Sequence, residues 1–487
     1  MSTEVSFIQE RKYQTHLLDI LNQVQKESAG VPPPVLVELD CGMGKRVLSY
    51  LMVTKYFPDR KTLILLQASS SLQETADFFL NKYKVEVGVL SSQVSAKWRV
   101  KILEDHNVVL ATPQTLANVL EKVPGQDFGF RLVLVNEVDK IIRRTSTRRT
   151  MVYPYPALLE RFRDAWVVGL SGTLRDFHMV VTDTVRMRSE LQTLADNLPG
   201  VRVISMEEIM AGDEEFSDHI IYTYLREYPV LDLEMQGVFG EIDRHIKHYR
   251  SKIIEQAQDE GLVEPGQKNL ALIAGQLPVD AELSGKYNAL LMMRKYLTGM
   301  LPVKWKRFLK RFPEFPAAMV DVLSDRSAKI QALPGLIRQE FESSAVKKVV
   351  VMVSYVYTGE IICKYLSKAG FDVYMISGIV QDKAAVINQF RESTKPQVAL
   401  VMTQVGERDL DIPEAKLIVV YDTINTTKTM YQRFKRTRGG QVVCLCYEKT
   451  SEQQKVRRLL QKIKEKYPWS VKVPSLDSNS GRSGLKP

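Results

Sequence analysis

The stretch Leu39-Asp40-Cys41-Gly42-Met43-Gly44-Lys45-Arg46 decides how the chain is read. An apolar run, Val35-Leu36-Val37, leads into it, and residues 47–56 behind it have helical spacing. Strand, glycine turn, lysine and helix are the build of a phosphate-binding loop. Gly42 and Gly44 let the backbone turn its N–H groups towards an anion, the helix N-terminus adds partial positive charge, and Lys45 can reach the β/γ-phosphates. The next position breaks the pattern. Such loops carry Ser or Thr there, whose hydroxyl ligates Mg²⁺, whereas Arg46 is a fixed cation that coordinates no metal. The same letters also suit an ordinary glycine turn, so the remaining motifs have to choose.

Working outward, 487 residues suggest roughly three domains of ordinary size. A hydrophobic content of 45% beside 25% charged residues is that of a globular protein with ample core. No uninterrupted apolar stretch is long enough to span a bilayer, and the first residues have no apolar targeting core. Cys41, Cys363, Cys444 and Cys446 have neither disulfide-framework nor zinc spacing, and the last two alternate in an apolar run that reads as a buried strand. An intracellular setting, cytoplasmic or nucleoid-associated, is expected. The formal charge of +10 favours a polyanionic partner. It is clustered at Arg143–Arg149, at Lys304, Lys306, Arg307, Lys310 and Arg311, and at Lys455–Lys466. Each cluster also suits a merely solvated face.

Apolar strands alternate with helices on both sides of the loop. Thr62–Leu66, Val85–Leu90, Val108–Ala111, Leu132–Val135 and Trp166–Leu170 read as strands ending in polar residues, the pattern of a parallel sheet with its site at the strands' carboxyl ends. Between about residues 231 and 327 long helical patterns take over, clearest at Ile242–Gln256, Glu282–Thr298 and Val303–Phe312. A second α/β rhythm begins at Lys329, and the tail from Ser470 lacks a packing pattern and is expected to be disordered. The expected division is 1–215 for the first α/β domain, 216–327 for a helical insertion, 328–450 for the second α/β domain, and 451–487 for a basic helix and tail.

Several short motifs sharpen this reading. Arg11-Lys12-Tyr13-Gln14, the phosphate loop, Thr112-Pro113-Gln114, Asn136-Glu137-Val138-Asp139, Ser171-Gly172-Thr173, Thr403 with Asp411 and Pro413, and Gln432–Gly439 follow one another in the order found in superfamily 2 helicases. The chain resembles that superfamily, above all the archaeal Hef and FANCM group to which XPF is related, with RIG-I and Dicer as neighbours. The resemblance covers about residues 11–440, insertion included. It implies an α/β fold of two tandem RecA-like parallel-sheet domains with a helical domain between them.

The resemblance also assigns roles. Gln14 matches the glutamine that reads adenine, Lys45 the phosphate lysine, and Glu137 the carboxylate that orients the attacking water. Ser171 and Thr173 match hydroxyls linking the nucleotide and nucleic-acid sides. Asp411, Arg433, Arg436 and Arg438 fall in motifs that would face the nucleotide, in a cleft expected between Gly42–Lys45 and Arg433–Arg438. On the nucleic-acid side, Thr112 and Gln114 open a helix whose hydroxyl and N–H groups suit a phosphate. Ser69 begins a hydroxyl run, Ser354 opens the equivalent loop of the second domain, and Thr403 matches a further motif. Lys304, Lys306, Arg307 and Lys310, interleaved with Trp305 and Phe308, lie in the insertion that in the Hef group is thought to grip DNA.

The departures from the family pattern concentrate on one ligand. Arg46 replaces the hydroxyl and Asn136 the carboxylate that would hold Mg²⁺, so no metal is expected. Gly439 stands where the family closes with an arginine finger, a group worth about 10³–10⁵ in rate in related chemistry. Arg46 is expected near the metal position or in an ion pair with Glu137, with ATP bound weakly and with little dependence on Mg²⁺. The leading expectation is therefore a DNA-binding pseudo-helicase on branched or duplex DNA, a scaffold in repair or fork processing beside a nuclease or other repair subunit. The alternatives are an active ATP-driven translocase and a double-stranded RNA binder of the RIG-I kind. Nothing after Gly440 resembles the nuclease signature of Hef.

Overall fold

The computed structural model describes residues 10–40, 42–67, 69–139, 155–172, 174–175, 177–181, 185–216, 222–264, 266, 270–301, 327–343, 347–380, 382–403, 412, 415–422, 427–435 and 439–473. The chain divides into two compact units, Met1–Ile220 and Ile221–Pro487.

In the first unit the apolar runs become strands β1 (Val35–Glu38), β2 (Thr62–Leu65), β3 (Gly88–Leu90), β4 (Val108–Ala111), β5 (Leu132–Asn136) and β6 (Trp166–Ser171). A hairpin follows, β7 (Phe177–Val181) with β8 (Val185–Ser189), and then β9 (Arg202–Ile204). Seven strands form one sheet in the order β3-β4-β2-β5-β6-β1-β9, and every pairing in it is parallel. Strands β1, β2, β4 and β6 are buried along their whole length. That is what continuous Val/Leu/Ile runs require when helices cover both faces. In the central register Val135 lies beside Gly169 and Val37 beside Leu170, so β1, β5 and β6 end at one level and their loops leave the sheet together. A Cβ at Gly169 would sit 2.6 Å from Val138 Cγ2, so only glycine lets that loop fold back over β6.

The second unit repeats the plan. Its strands are β10 (Thr223–Val230), β11 (Lys348–Val353), β12 (Asp372–Ile376), β13 (Val398–Thr403), β14 (Leu417–Val420), β15 (Gly440–Tyr447) and β16 (Val471–Lys472). The order is β12-β13-β11-β14-β15-β10-β16, again all parallel. Position by position it matches the first sheet, with β10 in the place of β1 and β16 in that of β9. Cys444 and Cys446 are buried in β15 as expected, and burial pushes the Cys444 thiol up to about 12, so it carries no thiolate at neutral pH.

Three expectations are corrected here. Thr223–Val230, placed in the helical insertion, is a strand running the length of β15, so the second sheet begins before the helices. The tail is ordered past Ser470: Ser470 and Val471 are buried and β16 pairs with β10, because Trp469 and Val471 supply the apolar anchors. The helix read as Ile242–Gln256 spans Leu233–Asp259, capped by Asp232, whose carboxylate accepts from the Met235 N–H at 3.0 Å. It packs against the helix Ala281–Leu297, capped likewise by Asp280. Val303–Phe312 lies outside the described residues, as do Lys304, Lys306, Arg307 and Lys310. No helix among the described residues is long and apolar enough to cross a membrane.

Candidate functional site

The phosphate loop leaves β1 through Asp40, and both glycines take left-handed backbone angles, φ +84° at Gly42 and +80° at Gly44. Side-chain-bearing residues adopt this region at a cost, which explains the residue choice. Gly44 has a second reason: a Cβ there would lie 2.6 Å from Gln14 Nε2. Lys45 then opens the helix Lys45–Leu51. The helix Lys12–Lys26 braces the loop from the side, with Tyr13 Oη and Gln14 Nε2 both donating to the Met43 carbonyl at 3.0 and 3.3 Å. Gln14 Oε1 accepts from the Arg11 N–H at 3.2 Å, so the 3% exposed amide is held in one orientation. A side chain that both holds the loop and keeps a fixed amide edge suits base recognition.

Across the loop, β5 ends in Asn136, and Glu137 turns with φ +55°. A non-glycine residue held there stores strain of order 1–3 kcal/mol, characteristic of positions fixed for function. Glu137 Oε1 lies 3.6 Å from Lys45 Nζ. Asn136 Oδ1 is buried with no hydrogen-bond partner among the described residues. Asp139, 3% exposed, accepts from Ser171 Oγ at 2.6 Å, which ties the loop after β5 to the end of β6.

Arg46 does not go where the sequence reading put it. Its guanidinium pairs with Glu74 at 3.0 Å and lies 5.8 Å over the Phe78 ring, on the helical segment that follows β2. The ion pair with Glu137 is made by Lys45 instead, because Lys45 points along the loop while Arg46, one residue on, leaves on another face of the helix. As a site for Mg²⁺ the donor set fits poorly: a neutral amide at 136, a cation at 46, and a Glu137 already facing Lys45. As a site for a phosphate the glycine turn and Lys45 fit well.

The remaining candidates are spread over both units. Thr112 Oγ1 caps its helix, accepting from the Thr115 N–H at 3.3 Å, while Gln114 is exposed and donates to Asn118 Oδ1 at 3.0 Å. Ser69 opens the helix Ser69–Asp77. In the second unit the Ser354 N–H and hydroxyl both bond to the carboxylate of Asp422, the former at 2.8 Å. Thr403, 3% exposed at the end of β13, has a buried Oγ1 with no hydrogen-bond partner among the described residues. Gly439 has φ +77°. Thr173, Asp411, Arg436, Arg438 and the side chains of Ser69 and Arg433 lie outside the described residues.

Two arrangements were missed by sequence reading. Glu38, at the end of β1, forms a bidentate pair with Arg175 at 2.6 and 2.7 Å and accepts from the Met206 N–H at 3.1 Å. A carboxylate closing an otherwise apolar strand was the available signal. Asp422 is fully buried beneath Ser354, and a Cβ at Gly299 would meet it at 2.6 Å; with Thr358 Oγ1 donating to the Gly299 carbonyl at 2.8 Å, this fits the end of the helix Ala281–Leu297 to the loop after β11.

Comparison with known proteins gives this geometry its kinship. The model described as helicase conserved C-terminal domain matches residues 328–440, and that described as type III restriction enzyme, res subunit, matches residues 7–176. The Hef helicase domain of Pyrococcus furiosus is similar with a TM-score of 0.61 and 18% identity, over 94% of this chain and 99% of that one, which bears on the fold. Dbp5 of S. cerevisiae, bound to RNA and ADP BeF3, gives a TM-score of 0.49 at 13% identity over 97% and 95% of the two chains, too low to add to the argument. No curated protein sequence matches. The first sheet thus carries the match to the res subunit of a type III restriction enzyme and the second the match to a helicase C-terminal domain, and the two sheets share one seven-strand order.

Proposed function

We propose that this protein binds duplex or branched DNA as a pseudo-helicase of the Hef type, with ATP turnover lost or nearly lost, and serves a repair or fork-processing assembly as a positioning subunit. The observation carrying this reading is the electrostatic state of the phosphate loop. Lys45 and Glu137 face each other at 3.6 Å, Asn136 offers a neutral amide, and Arg46 is drawn off to Glu74. A nucleotide entering the loop must take Lys45 from Glu137, and the charge of its β/γ-phosphates meets no dication. ATP then binds weakly and with little dependence on Mg²⁺. The basic composition and the Lys304–Lys310 cluster support a polyanionic partner.

One observation favours the active translocase as a second reading. The Gln14 contact to the loop and the Ser171–Asp139 hydrogen bond are both present, and each belongs to a working motor. A steady-state ATPase assay with and without forked DNA separates the two. The proposal expects no DNA-stimulated hydrolysis; turnover abolished by Lys45→Ala would replace it with the translocase. Competition between DNA forks and RNA duplexes decides the nucleic acid.

A further inference from the structure

Within the second unit, an open pocket of about 450 Å³ lies between the helices Ala281–Leu297 and Ser451–Lys466. Five cations line it: Arg294, Lys295, Lys455, Arg458 and Lys462. The single carboxylate among the described lining residues, Glu452, is taken up elsewhere, with Oε1 2.6 Å from Lys329 Nζ and Oε2 accepting from the Tyr447 N–H at 2.9 Å. Arg294 pairs with Asp243 at 2.9 Å. Among the described residues Lys295 and Lys462 have no ion-pair partner and Arg458 donates only to the neutral Gln454 carbonyl, at 3.3 Å. Positive charge is therefore in excess inside a concave surface.

The placement along the helix is specific. Residues 451, 455, 458 and 462 follow one another at four-, three- and four-residue steps and so share one face, while Val456, Leu460 and Ile463 are buried on the other. Ser451 belongs to the first turn of this 16-residue helix, where N–H groups and the helix dipole favour an anion. Ser451 is part of the pocket lining, and its Oγ is buried with no hydrogen-bond partner among the described residues. Burial, together with the like charges of Lys295 and Arg294, pulls the Lys455 ammonium below its ordinary pKa. Lys462 lies seven residue steps along the helix from Lys455, a rise of roughly 10 Å. One phosphoryl group is too short to meet both ends of that ridge.

We propose that this pocket is an anion site that takes a compact ligand carrying two or more phosphoryl groups, with Lys455 and the Ser451 hydroxyl at its inner end and Lys295, Arg458 and Lys462 at its mouth. The phosphoryl groups come either from a free polyphosphate or from successive phosphates of a nucleic-acid strand.

The test uses the full chain and inorganic tripolyphosphate as probe, by calorimetric titration at constant ionic strength with sodium chloride as the balancing salt. Binding is expected, and Lys295→Ala with Lys462→Ala should weaken it by roughly tenfold or more, since charge-assisted contacts are the stronger kind. Both positions are exposed, so the fold is retained. Lys455→Met, which keeps the stem, should weaken it further, and Lys364→Ala on an exposed face outside the pocket should leave it within about twofold. Displacement of the probe by a short DNA duplex supports a nucleic-acid source, and its retention supports a free polyphosphate. No heat beyond the salt control, or equal losses from Lys364→Ala and the pocket pair, overturns the proposal.

Discussion

Removing Lys329 from the second unit gives a large and pH-dependent loss of stability. Lys329 and Glu452 are both fully buried and 2.6 Å apart. The ammonium also donates to the carbonyls of Thr298 and Tyr421 at 2.9 and 3.2 Å, and sits 4.6 Å from the ring centroid of Tyr447. It thus ties the end of the helix Ala281–Leu297 to β14 and to the helix Ser451–Lys466. In Lys329→Met the stem volume survives but Glu452 is left buried without its counter-charge, which costs about 3–5 kcal/mol. Burial already pushes the Glu452 carboxyl up, and Lys329 pulls it back. Without Lys329 the rise is larger. A carboxyl whose pKa is higher in the folded than in the unfolded state binds more protons when folded, so stability falls as pH rises above the unfolded value, near 4.3. The variant's deficit should therefore be small near pH 5 and close to its full size near pH 8. Urea denaturation followed by circular dichroism at both pH values measures it. Lys329→Met with Glu452→Gln should recover at least half the loss, because a neutral amide can still accept from the Tyr447 N–H. A deficit under about 1 kcal/mol at pH 8, or one equal at both pH values, refutes the reasoning.

Other outcomes follow from the same geometry. Ser171→Ala leaves the buried Asp139 without its 2.6 Å donor and should cost about 1–3 kcal/mol, read as a lowered midpoint in thermal unfolding of the first unit. Arg46→Thr with Asn136→Asp should make nucleotide binding depend on Mg²⁺, measured by titrating a fluorescent nucleotide with and without the metal; unchanged binding argues against metal loss as the lesion. Adding Gly439→Arg to that pair places a side chain at φ +77° and should cost about 1–2 kcal/mol of stability. DNA affinity should fall roughly a hundredfold over a fourfold rise in salt if four phosphates are contacted, and reversing the charges of Lys304, Lys306, Arg307 and Lys310 should flatten that slope.

The parallel-strand runs, the glycine loop and the residues at positions 46, 136 and 439 were all legible in the sequence, because each depends on residues within a few places of one another. Val/Leu runs demand burial, two glycines permit left-handed angles, and an arginine cannot ligate a metal wherever it points. Tertiary structure alone decided which charges meet. Arg46 pairs with Glu74, 28 residues on, and Lys329 finds Glu452 at a separation of 123. Assigning β10 to the second sheet likewise required the fold, since β15, its partner, lies far along the chain beyond the helices. The basic pocket arises because two helices remote in sequence bring their cations to one concavity. Ion pairing and anion capture depend on distances of a few ångströms between side chains, and only the packed sheet and helices set those distances.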